Sequence, residues 1–296
     1  MTLTLGIDVG GTKIASVLLN NHGNVLEQSV ISTDGDGTSV IAQIWNLIEH
    51  GAARHSLEGV GVAVPGTVDP KAGTVISAPN IHWNHVDLQA LIEPALHGSA
   101  QVIVANDANA AAWAEYRFGG HTPGDSFAMI TVGTGIGSGF IINDRIVNGA
   151  TGAAGEVGHL TLVEDGEACS CVSQGCWERY ASGNALQRAA IHSGWGPDRA
   201  SYQLLDAVGT HPRAKEVLAT TARHLIRGMD LMASVLDPTV IVLGGGLGTD
   251  PLFFDTVAAH HQALSIKPPR SRPRLAKAHL GPLAGAIGAA DLARRS

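Results

Sequence analysis

Residues 8–19 read DVGGTKIASVLL, and residues 131–142 read TVGTGIGSGFII. Both stretches carry the same pattern, in which an apolar strand ends at Val-Gly, a polar glycine-rich turn follows and a second apolar strand returns. Such a pattern predicts a β-hairpin. Because it occurs twice, 123 residues apart, it indicates a duplicated α/β unit with a cleft between the copies. The alternative is a pair of unrelated hairpins.

Outward from the hairpins, short apolar strands alternate with segments of helical periodicity, which predicts an α/β fold. The predicted strands are residues 59–64, 102–105, 127–132 and 240–243, and the predicted helices are residues 41–55, 108–117, 203–206, 214–236 and 283–295. We expect two domains. Residues 1–118 form an N-terminal α/β domain, joined by the closing helix at residues 283–296, and residues 119–282 form a C-terminal α/β domain that carries a zinc-binding loop.

The composition narrows the classes of partner. The 296 residues include 19 basic and 26 acidic side chains, a net charge of −7 and 37 glycines. This acidic balance predicts no nucleic-acid partner, and the lack of a basic run beside an apolar segment predicts no membrane partner. The three cysteines all lie within residues 169–176, unlike a disulfide framework, and the first residues do not resemble a signal peptide. We therefore expect a cytoplasmic protein.

Several familiar glycine motifs do not occur in the sequence. None of the lysines follows a glycine, as a Walker phosphate loop requires, and there is no Gly-x-Gly-x-x-Gly dinucleotide fingerprint. The chain also contains no Gly-x-Ser-x-Gly and no His-Glu pair, which excludes the nucleophile elbow and the zincin helix. The glycines that follow predicted strands therefore need another explanation.

Phosphate binding is one explanation for these glycine turns. The first turn offers backbone N–H groups, a hydroxyl and one cation, a combination that cradles phosphate. The second turn would supply the opposite wall of the same site, and a third would let adenosine approach the backbone. The three turns are Gly10-Gly11-Thr12-Lys13, Gly133-Thr134-Gly135 and Gly244-Gly245-Gly246. Asp8, just before the first turn, would hold Mg²⁺ directly or through water. Ordinary hairpin turns are the alternative.

Asn106-Asp107 lies between a predicted strand and a predicted helix, where sites of α/β proteins gather. The carboxylate of Asp107 could accept the proton of an attacking hydroxyl that Asn106 orients. Alternatively, Asp107 only caps the N-terminus of the helix that follows. The local sequence leaves both roles open.

Four metal-binding side chains occur close together in the second half of the chain. His159, Cys169, Cys171 and Cys176 form a Cys₃His set that could close a tetrahedron around a structural zinc ion. Packed or redox-active thiols beside an unrelated histidine are the alternative. Glu156, Glu178 and the second ring nitrogen of His159 would then be held ready to bind the hydroxyls of a sugar. Solvated surface glutamates are the alternative for these carboxylates.

Taken together, these blocks resemble the ROK family of sugar kinases and repressors over nearly the whole chain, and within it the ATP-dependent bacterial glucokinases. The matching blocks are IDVGGTKI (7–14), VPG (64–66), PN (79–80), NDANAAAWAE (106–115), GTGIGSG (133–139), GEVGH (155–159), CSCVSQGCWERYASG (169–183), DPTVIVLGGG (237–246) and LGPLAGAIGAA (280–290). The resemblance implies an actin-like (ribonuclease H-like) ATPase fold of two domains with a cleft between them. It also implies phosphoryl transfer from MgATP to the 6-hydroxyl of glucose.

The resemblance assigns a role to each candidate residue. It implies Asp107 as the base, a structural Zn²⁺ on the Cys₃His set, phosphates at the first two glycine turns and adenosine at the third. The implied sugar contacts are Gly66, Asn80, Asn106, Asp107, Glu156, His159 and Glu178. A homodimer or homotetramer is expected. N-acetylmannosamine, N-acetylglucosamine, fructose and allose are alternative substrates, polyphosphate is an alternative donor, and a sugar-responsive regulator without catalysis is an alternative of another class. A DNA-binding repressor is disfavoured by the net charge.

The cysteine loop departs from the family pattern at one position. The family usually has Cys-x-Cys-Gly-x-x-Gly-Cys, and Val172 stands here where the first glycine is expected. All three thiols are retained. A left-handed backbone at Val172 would be strained, because the side chain is β-branched.

Overall fold

A computed structural model describes residues 3–121, 126–194, 201–264 and 271–294 of the chain. It divides into two compact units of α/β structure. Unit 1 comprises Met1–Pro123, Arg145–Gly155 and His279–Ser296, and unit 2 comprises Gly124–Asp144 and Glu156–Ala278.

Strands and helices alternate along much of the described chain. The strands are β1 Leu3–Val9, β2 Lys13–Asn20, β3 Val25–Ser32, β4 Leu57–Val64, β5 Thr67–Asp69, β6 Thr74–Ala78, β7 Trp83–Val86, β8 Gln101–Asn106, β9 Ser126–Val132, β10 Ile136–Ile142, β11 Arg145–Ile146, β12 Val240–Gly244 and β13 Arg274–Lys277. The α-helices are α1 Gly37–Arg54, α2 Leu88–Ile92, α3 Asp107–Phe118, α4 Glu178–Ala181, α5 Gly183–His192, α6 Ser201–Ala207, α7 Pro212–Leu236, α8 Gly245–Gly248, α9 Pro251–Ala263 and α10 Ala284–Arg294. Residues 295 and 296, included in the predicted closing helix, lie outside the described residues.

The central sheet of unit 1 has the strand order β3-β2-β1-β4-β8. The predicted first hairpin is confirmed, since β1 and β2 pair antiparallel, while β1, β4 and β8 run parallel to one another. Alternate residues of a strand point to opposite faces of the sheet. Ile7 accordingly joins the buried cluster that includes Ile44 of α1. On the other face a Cβ added at Gly6 would lie 1.9 Å from the carbonyl oxygen of Ala286, so this glycine allows α10 to pack closely.

Unit 2 repeats this arrangement with the strand order β10-β9-β12-β13. The second predicted hairpin, β9 with β10, is antiparallel, and β9, β12 and β13 are parallel. The interior strand β12 is buried along its whole length, as an uninterrupted Val-Ile-Val-Leu run predicts for a parallel strand. The shared topology agrees with the internal repeat in the sequence.

Several parts of the fold were not predicted from the sequence, among them an edge strand and a small sheet. The edge strand β3 exposes most of its side chains, so it lacks the alternation that marks a half-buried strand. A small antiparallel sheet, β5-β6-β7, follows β4. Its strands are short and partly polar, which leaves little periodicity to detect.

Two adjacent histidines, His260 and His261, lie on α9. The side chain of His261 is buried. It faces a small cavity that is also lined by Ile226, Met229 and Leu264. Within the described ranges, none of the helices combines the length and the apolar character needed to span a bilayer.

Candidate active site

The candidate residues of unit 1 gather at one edge of its central sheet. Strands β1, β4 and β8 are parallel, and their carboxyl ends lead into the first glycine turn, into Gly66 and into Asp107. The register pairs Asp8 with Ala63 and Val64 with Asn106, so these ends are level. The carboxyl ends of parallel strands are where α/β proteins bind ligands.

The first glycine turn is compact and lies beside Asn80. The N–H of Gly10 donates to the carbonyl of Lys13 at 2.9 Å, which closes the turn. Asn80 lies on a short 3₁₀-helix, Pro79–Ile81, and its carbonyl oxygen would be 3.5 Å from a Cβ added at Gly11. A predicted sugar contact and a predicted phosphate turn are therefore neighbours in this unit.

Asp8 has an unusual electrostatic environment at the end of β1. Burial raises the pKa of the Asp8 carboxyl to about 7, and the nearby carboxylate of Asp107 adds to the rise while Lys13 opposes it. A Cβ added at Gly285 of α10 would lie 2.4 Å from Oδ2 of Asp8, so the helix backbone covers the carboxyl closely. A carboxyl with this pKa is only partly ionised at neutral pH, and a bound divalent cation would favour its ionised form.

The structure shows which of Asn106 and Asp107 caps helix α3, a question that the sequence left open. Asn106 caps α3, because its Oδ1 accepts from the N–H of Asn109 at 2.9 Å. The idea that Asp107 is the cap is therefore wrong. Asp107 is the first residue of the helix, and its Oδ1 accepts from the N–H of Ala108 at 2.7 Å and from Nδ2 of Asn106 at 3.1 Å. Nδ2 of Asn106 also donates to the carbonyl of Gly66 at 2.9 Å.

The remaining two glycine turns belong to unit 2, at the carboxyl ends of the neighbouring strands β9 and β12. The N–H of Gly133 donates to the carbonyl of Gly135 at 3.0 Å. A Cβ added at Gly245 would lie 2.5 Å from the carbonyl oxygen of Val132, so the third turn lies against the end of β9. Nothing lies within 4 Å of a Cβ added at Gly246, so its backbone has open space beside it.

The four potential zinc ligands converge in unit 2. Their ligand atoms, from His159, Cys169, Cys171 and Cys176, all lie within 4.8 Å of one another. The sulfur atoms of Cys171 and Cys176 are 3.5 Å apart, and that of Cys169 is 3.7 Å from Nδ1 of His159. The backbone N–H of Ser173 lowers the pKa of the Cys171 thiol to about 7. Burial raises the pKa of the Cys176 thiol.

Two carboxylates flank the imidazole of His159. Oε1 of Glu178 lies 3.9 Å from Nδ1, on the side of the thiols, and Oε2 of Glu156 lies 3.9 Å from Nε2. Oε2 of Glu178 would be 2.7 Å from a Cβ added at Gly135, so this carboxylate also borders the second glycine turn. The two ring nitrogens of His159 thus face different groups, one the thiols and the other Glu156.

The cysteine loop is anchored on α7 and carries one strained residue. Trp177 is fully buried, and its Nε1 donates to the carbonyl of His224 at 3.0 Å. The N–H of Cys169 donates to the carbonyl of Ser173 at 2.8 Å. Val172 has a φ of +67° and a side chain that is 97% exposed. The left-handed conformation considered from the sequence is therefore present, with no buried packing of its side chain to offset the strain.

Sequence reasoning missed the residues whose hydrogen bonds hold the glycine turns. The Thr33 hydroxyl donates to the carbonyl of Gly10 at 2.7 Å, and the N–H of Gly183 donates to the carbonyl of Gly133 at 2.7 Å. Both donors are distant in sequence from the turns they touch. The only hints in the sequence are a small polar residue after a strand and a glycine after the cysteine loop.

Comparison with known proteins gives one family. A family model described as ROK family matches residues 4–296. A glucokinase from Streptomyces coelicolor is 36% identical over 313 aligned positions, which cover 99% of this chain and 98% of the relative. An N-acetylmannosamine kinase from Vibrio cholerae is 31% identical over 248 positions, which cover 83% of this chain and 84% of that relative.

The fold has a solved counterpart. The crystal structure of a ROK family glucokinase from Streptomyces griseus, in complex with glucose and AMPPNP, matches with a TM-score of 0.85 at 36% identity. The match covers 99% of this chain and 100% of that chain. The α/β, actin-like ATPase class predicted from the sequence is confirmed by this likeness.

Proposed function

Because the chain belongs to the ROK family, we propose that it is an ATP-dependent hexose kinase that converts glucose and ATP to glucose 6-phosphate and ADP. The Streptomyces coelicolor relative is a glucokinase, and the match covers nearly all of both chains. The Streptomyces griseus counterpart binds glucose and a nonhydrolysable ATP analogue. The observation that carries the proposal is the fixed carboxylate of Asp107 at the sheet edge that it shares with the first glycine turn.

Asp107 would act as the general base. The 6-hydroxyl of the sugar would donate its proton to the Asp107 carboxylate as its oxygen forms a bond to the γ-phosphorus of ATP. The bond from that phosphorus to the bridging oxygen would break, and ADP would leave. Phosphoryl transfer needs little covalent work from a protein, so positioning and charge neutralisation dominate. The two hydrogen bonds to Oδ1 of Asp107 fix the plane of the carboxylate before substrate arrives, which favours the reaction entropically.

The sugar hydroxyls would be bound by acceptors and donors of the predicted contact residues. The proposed contacts are Gly66, Asn80, Asn106, Asp107, Glu156, His159 and Glu178. Asn106 already uses its Nδ2 donors within the protein, so it would receive a sugar hydroxyl at Oδ1. Nε2 of His159 would donate to a hydroxyl near Glu156, since its Nδ1 faces the thiols.

ATP would be bound by the three glycine turns. Gly10, Gly11, Thr12 and Lys13, with Gly133, Thr134 and Gly135, would bind the phosphates, and Gly244, Gly245 and Gly246 would border adenosine. Asp8 would hold Mg²⁺ directly or through water. The bound Mg²⁺ would neutralise negative charge on the phosphates during transfer. Burial raises the pKa of Asp8 to about 7, and a bound cation would favour the ionised form of this carboxyl.

The Cys₃His set fits a structural zinc ion. Three sulfurs and one imidazole nitrogen are a common tetrahedral donor set, and here their close approach leaves no ligand atom more than 4.8 Å from another. His159, Cys169, Cys171 and Cys176 would hold the ion, which would fix the loop that carries Glu178. A cytoplasmic location, a homodimer or homotetramer, and the lack of nucleic-acid and membrane partners stay predictions.

A hexose panel tests this function. Purified protein is assayed with glucose, N-acetylmannosamine, N-acetylglucosamine, fructose and allose, each with ATP or polyphosphate as donor. We expect the highest kcat/KM for glucose with ATP. A higher value for N-acetylmannosamine would move the assignment to the activity of the Vibrio cholerae relative. A lack of phosphorylation of every sugar would contradict the kinase assignment and favour a regulator that binds sugar without catalysis.

A further inference from the structure

Thr33 forms two hydrogen bonds with backbone carbonyls of the first glycine turn. Its hydroxyl donates to the carbonyl of Gly10 at 2.7 Å, and its N–H donates to the carbonyl of Thr12 at 3.1 Å. Thr33 follows the edge strand β3, so these bonds join the end of β3 to the turn between β1 and β2. Two carbonyls of the turn are thereby fixed by a single residue.

The second glycine turn is held in the same way by the start of α5. The N–H of Gly183 donates to the carbonyl of Gly133 at 2.7 Å, and the N–H of Asn184 donates to the carbonyl of Thr134 at 3.3 Å. A Cβ added at Gly183 would lie 2.7 Å from that Gly133 oxygen, which is closer than Cβ atoms come to backbone. Ser182, which is buried, caps α5 through its bond with the N–H of Ala185 at 3.2 Å.

Fixing these carbonyls also sets the direction of the amides that follow them. Across a planar trans peptide, the carbonyl of one residue and the N–H of the next point in opposite directions. The bond to Gly10 therefore turns the N–H of Gly11 away from Thr33, and the bonds to Gly133 and Thr134 turn the next two N–H groups away from α5. Among the hydrogen bonds of the described residues, the N–H groups of Gly11, Thr134 and Gly135 have no protein acceptor.

We propose that Thr33 and Gly183 are positioning residues for the phosphates of the nucleotide. Thr33 and Gly183 bind backbone carbonyls of the first and second turns. These bonds orient the unpaired N–H groups of the turns toward the phosphate oxygens. Outward-facing amides of this kind form anion-binding concavities. This inference rests on the proposed kinase function and adds two residues to the nucleotide site that do not themselves touch the nucleotide.

Two pairs of variants test the proposal. Thr33→Val removes the hydroxyl while keeping the shape and the backbone N–H, and Thr33→Ser restores the hydroxyl. Gly183→Ala adds the Cβ that meets Gly133, whereas Gly209→Ala is its control, because nothing lies within 4 Å of a Cβ at that position in the same unit. Each variant is titrated with AMPPNP and assayed for the KM of ATP and of glucose, and urea unfolding follows stability.

We expect Thr33→Val and Gly183→Ala to raise the AMPPNP Kd and the KM of ATP about fivefold to tenfold, the loss expected for a misplaced hydrogen-bonding backbone. The KM of glucose should change less than about twofold. Thr33→Ser and Gly209→Ala should match the wild type. The Thr33 pair decides the result if Gly183→Ala does not fold.

The proposal is overturned if the nucleotide and glucose constants rise together, if Thr33→Val binds AMPPNP as tightly as the wild type, or if the wild type does not bind AMPPNP. A wild type that binds AMPPNP but phosphorylates no hexose would contradict the proposed function instead. In that case the AMPPNP titrations of the variants still decide the positioning role.

Discussion

Nδ2 of Asn106 donates to Oδ1 of Asp107 at 3.1 Å, and the same amide nitrogen bonds the carbonyl of Gly66 at 2.9 Å. Oδ1 of Asn106 meanwhile caps α3. One side chain thus joins the end of β4, the start of α3 and the carboxylate proposed to be the base. The orientation of Asp107 depends on Asn106 as much as on its own position at the start of the helix.

Replacing Asn106 with serine should separate its role as the cap of α3 from its role in orienting the Asp107 carboxylate. Serine caps helices about as well as asparagine, so the change in capping should alter the free energy of unfolding by less than about 0.5 kcal/mol, and loss of the bond to Gly66 should lower it by about 1 kcal/mol. The bonds to Gly66 and Asp107 would be lost, and kcat should fall about tenfold because the carboxylate is less well oriented. Asn106→Ala also loses the cap and should destabilise the protein by about 1 kcal/mol more than Asn106→Ser does. Urea unfolding and steady-state kinetics measure both effects. A serine variant with wild-type kcat would show that Asn106 does not orient the base.

Relieving the strain at Val172 should strengthen the cysteine loop. Val172 has a φ of +67°, a conformation that glycine adopts without strain. If loop order and zinc binding are coupled, Val172→Gly should remove about 1 kcal/mol of strain and tighten zinc about fivefold. Competition with a chromophoric zinc chelator measures the affinity. Ser170→Gly is the matched control, because the φ of Ser170 is not positive and a glycine there gains flexibility without relieving strain. Equal zinc affinity in the wild type and Val172→Gly would contradict this account.

Acidification should destabilise the protein partly through His261. Burial, with a smaller contribution from Arg272, lowers the pKa of His261 below its ordinary value of 6.5. The unfolded chain therefore binds a proton at this residue at a higher pH than the folded protein does. The contribution of neutral His261 to the free energy of unfolding is present above pH 6.5. It is lost as the pH falls below 6.5 toward the lower pKa of His261 in the folded protein.

His261→Leu removes this titrating group from the cavity beside α9, which Asp230 also lines. The free energy of unfolding in urea, compared between pH 7 and pH 5, should therefore fall less in His261→Leu than in the wild type. His260→Leu, changed at the adjacent residue, should keep the wild-type difference. An undiminished difference in His261→Leu would show that another group carries the acid sensitivity.

The features that the sequence revealed are those encoded by neighbouring residues. Both hairpins and the first two glycine turns follow from a short local pattern of apolar strand, glycine and returning strand, and the third turn follows from an apolar strand that ends in glycines. The convergence of His159 with the cysteines was predictable because metal ligands with short spacings need little chain between them.

The features that were missed depend on contacts between distant residues. Thr33 bonds Gly10 across 23 positions, and the burial of His261 depends on α7 and β12 packing over α9. The capping role of Asn106 could not be separated from that of Asp107, because both are good cap residues and only the geometry of the strand end selects one.

The kinetics of Asp107→Asn test the central claim most directly. Asparagine keeps the size of the side chain and an acceptor for the N–H of Ala108, but it cannot take a proton at neutral pH. Glu58→Gln, an exposed change on β4 in the same unit, serves as the control. We predict that kcat for glucose phosphorylation falls by about a thousandfold while the glucose Kd stays within about threefold of the wild type. A variant that retains more than about a tenth of the wild-type kcat would contradict the assignment of Asp107 as the base.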